Sequence, residues 1–132
     1  LYRNDRAKFV PVANAAFENL GLVTDACTVD FDRDGDDDLV AVGEWTPVVR
    51  LRNERGTFTR LPDEPDAPTG LWQRVLAGDF DRDGDADLIV GNYGLNSQFK
   101  ASVALPILLH NADFDGNGTP DPILSYAIGG ET

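Results

Sequence analysis

The stretch that decides the fold is Asp30–Leu39, DFDRDGDDDL. It has a near copy at Asp79–Leu88, DFDRDGDADL, and a looser relative at Asp113–Pro122, DFDGNGTPDP. Crowding that many carboxylates into one turn is unfavourable unless something neutralises them. Like charges held together repel and resist ionisation. Counting the first Asp of each turn as position 1, acids recur at positions 1, 3, 5 and 9. These are Asp30, Asp32, Asp34 and Asp38, then Asp79, Asp81, Asp83 and Asp87. The third turn has Asp113, Asp115, Asn117 and Asp121. Gly35, Gly84 and Gly118 fill position 6, where the chain must bend sharply. Asp36, Asp85 and Thr119 at position 7 can each offer a carbonyl oxygen.

Such a shell contains only oxygen and suits a hard cation. Alternating ligands at 1, 3 and 5 before a glycine resemble the loop of an EF-hand. An EF-hand also needs a Glu at position 12 and flanking helices. Here position 12 is Ala41, Val90 or Leu124, each inside an apolar segment. The final ligand is therefore expected from position 9. Calcium fits better than magnesium, which dehydrates reluctantly and demands strict octahedral geometry. No Cys/His cluster suits zinc or copper. Two or three calcium ions, structural in role, are the expectation, contributing folding energy directly. Asn117-Gly118-Thr119 also spells a glycosylation sequon, but Asn117 is better used as a ligand.

The turns account for the charge. The chain has 132 residues and a formal net charge of -12, and fourteen of its 23 acids lie in the three turns. Nucleic acid is a poor partner for such a surface, because its attraction requires clustered Lys and Arg. No apolar run is long enough for a membrane-spanning helix, so no membrane insertion is expected. Cys27 is the single cysteine and reads as a small buried hydrophobe.

Asp30 and Asp79 are 49 residues apart, and so are Asn4 and Asn53. At that offset LYRNDRAKF (Leu1–Phe9) aligns with RLRNERGTF (Arg50–Phe58). Two separate features sharing one period indicate a tandem unit. DLVAVG (Asp38–Gly43), DLIVG (Asp87–Gly91), Val48–Arg52 and LWQRVLAGDF (Leu71–Phe80) read as strands. NDRA and NERG read as hairpin turns, and Ala13–Leu20 as a short helix or a loop. About four strands per unit fit one blade of a propeller. The third unit is irregular, because Asp79 and Asp113 are only 34 residues apart. Its turn either opens a new blade after a shortened connection or sits at another edge of the same one.

The turns followed by DLVAVG and DLIVG resemble the FG-GAP/VCBS repeat, the blade unit of integrin-alpha-like β-propellers. The RN…F hairpins and GNYGLNSQFKAS (Gly91–Ser102) are similar to bacterial secreted members of that group. The resemblance implies an all-β fold: a partial β-propeller of four-stranded antiparallel blades with calcium-binding loops. The expected division is 1–29 as the end of one blade and a linker, 30–78 and 79–112 as blades, and 113–132 as the start of a further blade or an edge. The resemblance also implies an extracellular, periplasmic or cell-surface location. At 49 residues per blade the chain cannot close a ring alone. It is read as a fragment, or as a unit needing other copies or the rest of a parent chain.

The expected function is a non-catalytic scaffold for protein or glycan binding, since propellers present recognition loops on a rigid frame. Trp45, Tyr93, Asn96, Gln98 and Lys100 are the candidate ligand-facing residues, while Trp72 reads as core. The alternative is a structural segment of a larger polysaccharide-acting lyase or hydrolase. Glu44, Glu131 and His110 are the groups left for acid-base work, but nothing assembles a nucleophile, base and orienter. No catalytic residue is assigned.

Overall fold

A computed structural model of the chain describes residues 1–94 and 97–128. They form ten strands and one 3-10 turn in two compact units, Leu1–Asn92 and Tyr93–Thr132. Among the described residues all strand pairing is antiparallel.

The first unit is organised by β4 (Asp38–Thr46). It pairs with β3 (Leu22–Val29) and with β5 (Val49–Glu54). β5 in turn pairs with β6 (Thr57–Arg60). These four form a meander, the strand count expected for one 49-residue unit. β4 is apolar on both faces because both are covered, which is why DLVAVG shows no polar alternation. Ala41 packs with Val49, Leu51 and Ala16, flanked by Leu39, Phe17 and Phe58. Val40 and Val42 pack on the opposite face with Val75, flanked by Cys27, Trp72 and Val90.

Within the same unit the next sequence repeat takes up the first half of that plan. β7 (Gly70–Gly78) pairs with β8 (Asp87–Asn92), as β3 pairs with β4. The path through the sheet runs β6-β5-β4-β7-β8, so β6 and β8 are its opposite edges. At the amino terminus β1 (Tyr2–Asp5) and β2 (Lys8–Pro11) form a separate hairpin. Its register, Asn4 opposite Phe9, is that of Asn53 opposite Phe58 in β5–β6. The offset of 49 read from the sequence is therefore structural. The 3-10 turn Ala15–Phe17 lies in the segment left open between helix and loop, capped by the Asn14 side chain. Phe17 meets Phe58 edge to face, with ring centroids 5.2 Å apart.

In the second unit β9 (Leu108–Ala112) leads through the third acidic turn into β10 (Asp121–Ser125). This is again the strand–turn–strand hairpin of β3–β4. The described residues between β8 and β9 contain no strand, so the shortened spacing reflects a missing β5–β6-type hairpin.

The two repeats of the first unit are joined by polar contacts. Thr24 Oγ1 donates to the Trp72 carbonyl at 2.7 Å, and Trp72 Nε1 to the Thr46 carbonyl at 2.9 Å. Trp72 thus has its ring against the core and its polar edge satisfied. Asp25 Oδ2 accepts from Val75 N at 3.1 Å and lies 3.7 Å from Arg74 Nη1. The Val75 N–H, with help from Ala26 N–H and Arg74, holds the Asp25 carboxyl below its ordinary value near 3.8, against the opposing effect of desolvation. Cys27 is half-buried rather than fully buried, and desolvation followed by the Asp25 charge pushes its thiol up.

Because the folded state lowers the Asp25 pKa, its stabilising contribution is complete above about 3.8 and is lost as pH falls through the lower folded value. Asp25→Asn keeps an acceptor for Val75 N but cannot titrate. The wild-type advantage over Asp25→Asn in urea midpoint should therefore vanish on acidification through that window. A constant difference down to the acid limit would assign the lowered pKa no part in stability.

Candidate metal centres

Each acidic turn is built by its own backbone. At position 4 Arg33 and Arg82 have φ of 62° and 68°, and Gly116 has 74°. At position 6 Gly35, Gly84 and Gly118 have φ of 93°, 91° and 87°. Space around these three is open, so conformation and not crowding requires glycine there. The left-handed residues turn successive N–H groups inward, onto the carboxylates.

Position 1 collects most of them. Asp30 accepts from Asp34 N and Gly35 N at 3.2 and 3.0 Å. Asp79 accepts from Gly84 N at 3.1 Å. Asp113 accepts from Gly116 N, Asn117 N and Gly118 N at 2.7, 3.0 and 2.8 Å. Position 3 accepts from the N–H of position 5 in all three turns: Asp32, Asp81 and Asp115, at 3.3, 3.1 and 3.0 Å. Position 9 reaches back to position 2. Asp38, Asp87 and Asp121 accept from Phe31, Phe80 and Phe114 N at 3.1, 3.0 and 3.0 Å. One scheme, repeated three times, aims positions 1, 3 and 9 at a common point.

The resulting triads are Asp30/Asp32/Asp38, Asp79/Asp81/Asp87 and Asp113/Asp115/Asp121. In each, one carboxylate oxygen per residue lies within 4.8 Å of the others. Oxygens on opposite sides of one calcium ion are separated by twice the bond length, about 4.6–5.2 Å. The triads therefore fit a single divalent ion, and the donor set is the hard-oxygen set such an ion takes. Asp34, Asp83 and Asn117 at position 5 are also turned onto the backbone. Each accepts through Oδ1 from the N–H of position 7, at 2.9, 2.8 and 2.8 Å.

The electrostatics differ between turns. Desolvation, then the neighbouring Asp34 charge, pushes the Asp32 carboxyl above its ordinary value, only partly offset by the Asp34 N–H. The Gly118 N–H, joined by Gly116 and Asn117, holds Asp113 below its own, against desolvation. The first turn also carries six acids and the third only three.

Asp38 is the most constrained of the ligand set, at 0 % exposure. The β5–β6 hairpin covers it, and this part of the site was not read from the sequence. Asn53 N donates to Asp38 Oδ1 at 2.8 Å, Asn53 Nδ2 to the Asp37 carbonyl at 2.8 Å, and Arg55 N to Asp36 Oδ2 at 2.7 Å. The matching asparagines at 4 and 53 were the available signal. Arg33 also links the first two turns, donating to the Gly84 carbonyl at 2.9 Å and pairing with Asp85.

Of the residues read as ligand-facing, Trp45 is half-buried in β4 with φ of 63°. It sits at the irregularity between Glu44 and Thr46 where β4 meets β7. A bulky side chain in that conformation marks a bulge that re-aims it. Tyr93 is 52 % exposed, and Gln98 and Lys100 are exposed. Asn96 and Glu131 lie outside the described residues. Glu44 accepts from Gln73 Nε2 at 2.9 Å, and His110 Nε2 lies 3.0 Å from Ser125 Oγ across β9–β10. Both are engaged in contacts between strands. No helix among the described residues is long and apolar enough to cross a membrane.

Residues 30–90 match the family model of the FG-GAP-like repeat. The match begins at the first acidic turn and ends in β8. No curated protein and no solved structure matches the chain.

Asp38→Ala strands two backbone donors in a sealed site and should cost about 3 kcal/mol or more in urea unfolding. Asp87→Ala, at a half-exposed site, should cost clearly less. Equal losses would mean that the covering hairpin adds nothing.

Proposed function

We propose that the chain is a calcium-stabilised stretch of β-propeller, serving as a non-catalytic scaffold for protein or glycan binding in a secreted or cell-surface protein. The observation that carries this reading is the recurrence of one oxygen-only triad, built by one hydrogen-bond scheme, at three strand–turn–strand hairpins. The FG-GAP-like match over residues 30–90 and the four-stranded meander β3–β6 support reading the chain as successive propeller blades.

In this reading positions 1, 3, 5 and 9 hold the ion with their side chains and position 7 with its carbonyl. The ion supplies charge neutralisation at the turn. The backbone N–H groups orient the carboxylates, and position 9 carries the constraint into the following strand. A shell filled by protein oxygens offers no place for substrate, so the role is structural. Recognition falls to the loops. Trp45, re-aimed by its bulge, and the exposed Tyr93 are the side chains suited to a sugar ring or a protein surface.

Calorimetric titration of chelator-stripped protein with calcium should give two or three equivalents, with magnesium a poor competitor. Asp79→Ala/Asp81→Ala should remove one equivalent and leave the rest. In a crystal of the calcium-loaded protein, the ligand oxygens should lie at about 2.3–2.6 Å from the ion. Zero stoichiometry, or loss of all equivalents in the double variant, would refute independent sites at the turns.

A further inference from the structure

The acidic turns share one hydrogen-bond scheme but differ in what holds position 7. In the first turn the Asp36 side chain accepts from Arg55 N of the β5–β6 hairpin at 2.7 Å. In the third, Thr119 is held from within its own turn, its hydroxyl donating to Asn117 Oδ1. In the second, the hold comes from the first turn. Arg33 Nη2 donates to the Gly84 carbonyl at 2.9 Å and pairs with the Asp85 side chain.

That grip falls on one peptide unit. The Gly84–Asp85 peptide presents its carbonyl to Arg33 and its N–H to Asp83 Oδ1 at 2.8 Å. A trans peptide points these two groups in opposite directions. Arg33 therefore fixes, from outside the turn, the unit that orients position 5 and leads into position 7. Neither Arg33 nor Asp85 belongs to a carboxylate triad, so the contact leaves the triad oxygens open to an ion.

Arg33 makes this reach from a backbone conformation that side chains rarely adopt. Its φ is 62°, where the third turn has Gly116 at 74°. Glycine takes that conformation with less strain. An arginine there supplies its own turn with no oxygen ligand from its side chain, and its hydrogen bond and ion pair both go to the second turn. The direction of the guanidinium is set at position 4 of one turn, and that of the accepting carbonyl by Gly84, with φ of 91°, in the other. The contact thus needs both turns in their closed form.

We propose that Arg33 is a positioning residue for the second metal centre, and that the first two turns take up calcium cooperatively through it. The proposal rests on the reading of the turns as calcium sites. An ion that closes one turn sets its half of the Arg33 contact, so the other turn closes at smaller cost. Each turn still binds its own ion. Occupancy of one raises the affinity of the other, and the effect is reciprocal. Both side chains are more than half exposed, so the coupling is modest.

The test uses the whole chain with the third turn disabled by Asp113→Ala/Asp115→Ala, at physiological ionic strength. The Gly35 and Gly84 amide signals in proton–nitrogen correlation spectra follow calcium at the two remaining turns separately. Disabling the second turn with Asp79→Ala/Asp81→Ala should weaken calcium binding at the first by about three- to fivefold. Arg33→Gly suits the left-handed backbone and removes only the side chain. In that variant, disabling the second turn should leave calcium affinity at the first unchanged. A loss that persists in Arg33→Gly, or no loss with Arg33 in place, would overturn the coupling while leaving calcium at the turns intact. Failure of the unmodified chain to bind calcium at either turn would instead remove the reading beneath the proposal, and the proposal with it.

Discussion

Everything in the first unit depends on the carboxylate at position 9. Asp38 is the first residue of β4, the strand on which both halves of the core are built. Its two oxygens bind Phe31 N across the turn and Asn53 N on β5. A single buried acid thus ties β4 and β5 to the mouth of the acidic turn. Its charge is tolerable only because it is hydrogen-bonded, and a cation at the triad would neutralise it further. The turn is therefore less a connection between strands than the place where the sheet is specified.

That constraint explains how the repeat is laid out. The turn needs left-handed residues at positions 4 and 6, an acid at 1 and 3, and an acid at the start of the next strand. β4 needs apolar side chains on both faces immediately afterwards. The hairpin that follows must put an N–H opposite position 9. Asn53 meets this requirement, and its side chain also closes its own hairpin turn through Gly56 N. After β8 the described residues hold no such hairpin, and Ile89 and Asp87 are more exposed than Val40 and Asp38.

The acidic turns, the strands after them and the paired hairpins were legible in the sequence, because each rests on contacts between residues close along the chain. Position 6 glycines and the Asp alternation are local requirements, and the shared offset of 49 needed only comparison of the chain with itself. The irregular spacing before the third turn could be seen but not interpreted until β9–β10 emerged as a β3–β4-type hairpin. What escaped depends on tertiary contacts. Asp25 looks like an ordinary strand polar residue, and only the position of Val75 N gives it a role. Cys27 lies at the margin of a cluster rather than inside it. Trp45 owes its orientation to a bulge against β7, which no local pattern announces. The cover over Asp38 comes from residues 15 positions away.

The central claim is that a cation neutralises the converging carboxylates and thereby stabilises the sheets that start from them. The most direct measurement is the melting temperature of the chain in excess calcium and again after exhaustive chelation at the same ionic strength. With at least two sites saturated, removal of calcium should lower Tm by at least about 10 °C, and restoring calcium should recover it. An unchanged Tm in the chelated protein would contradict the claim and leave the acidic turns as solvated loops on a sheet that needs no ion.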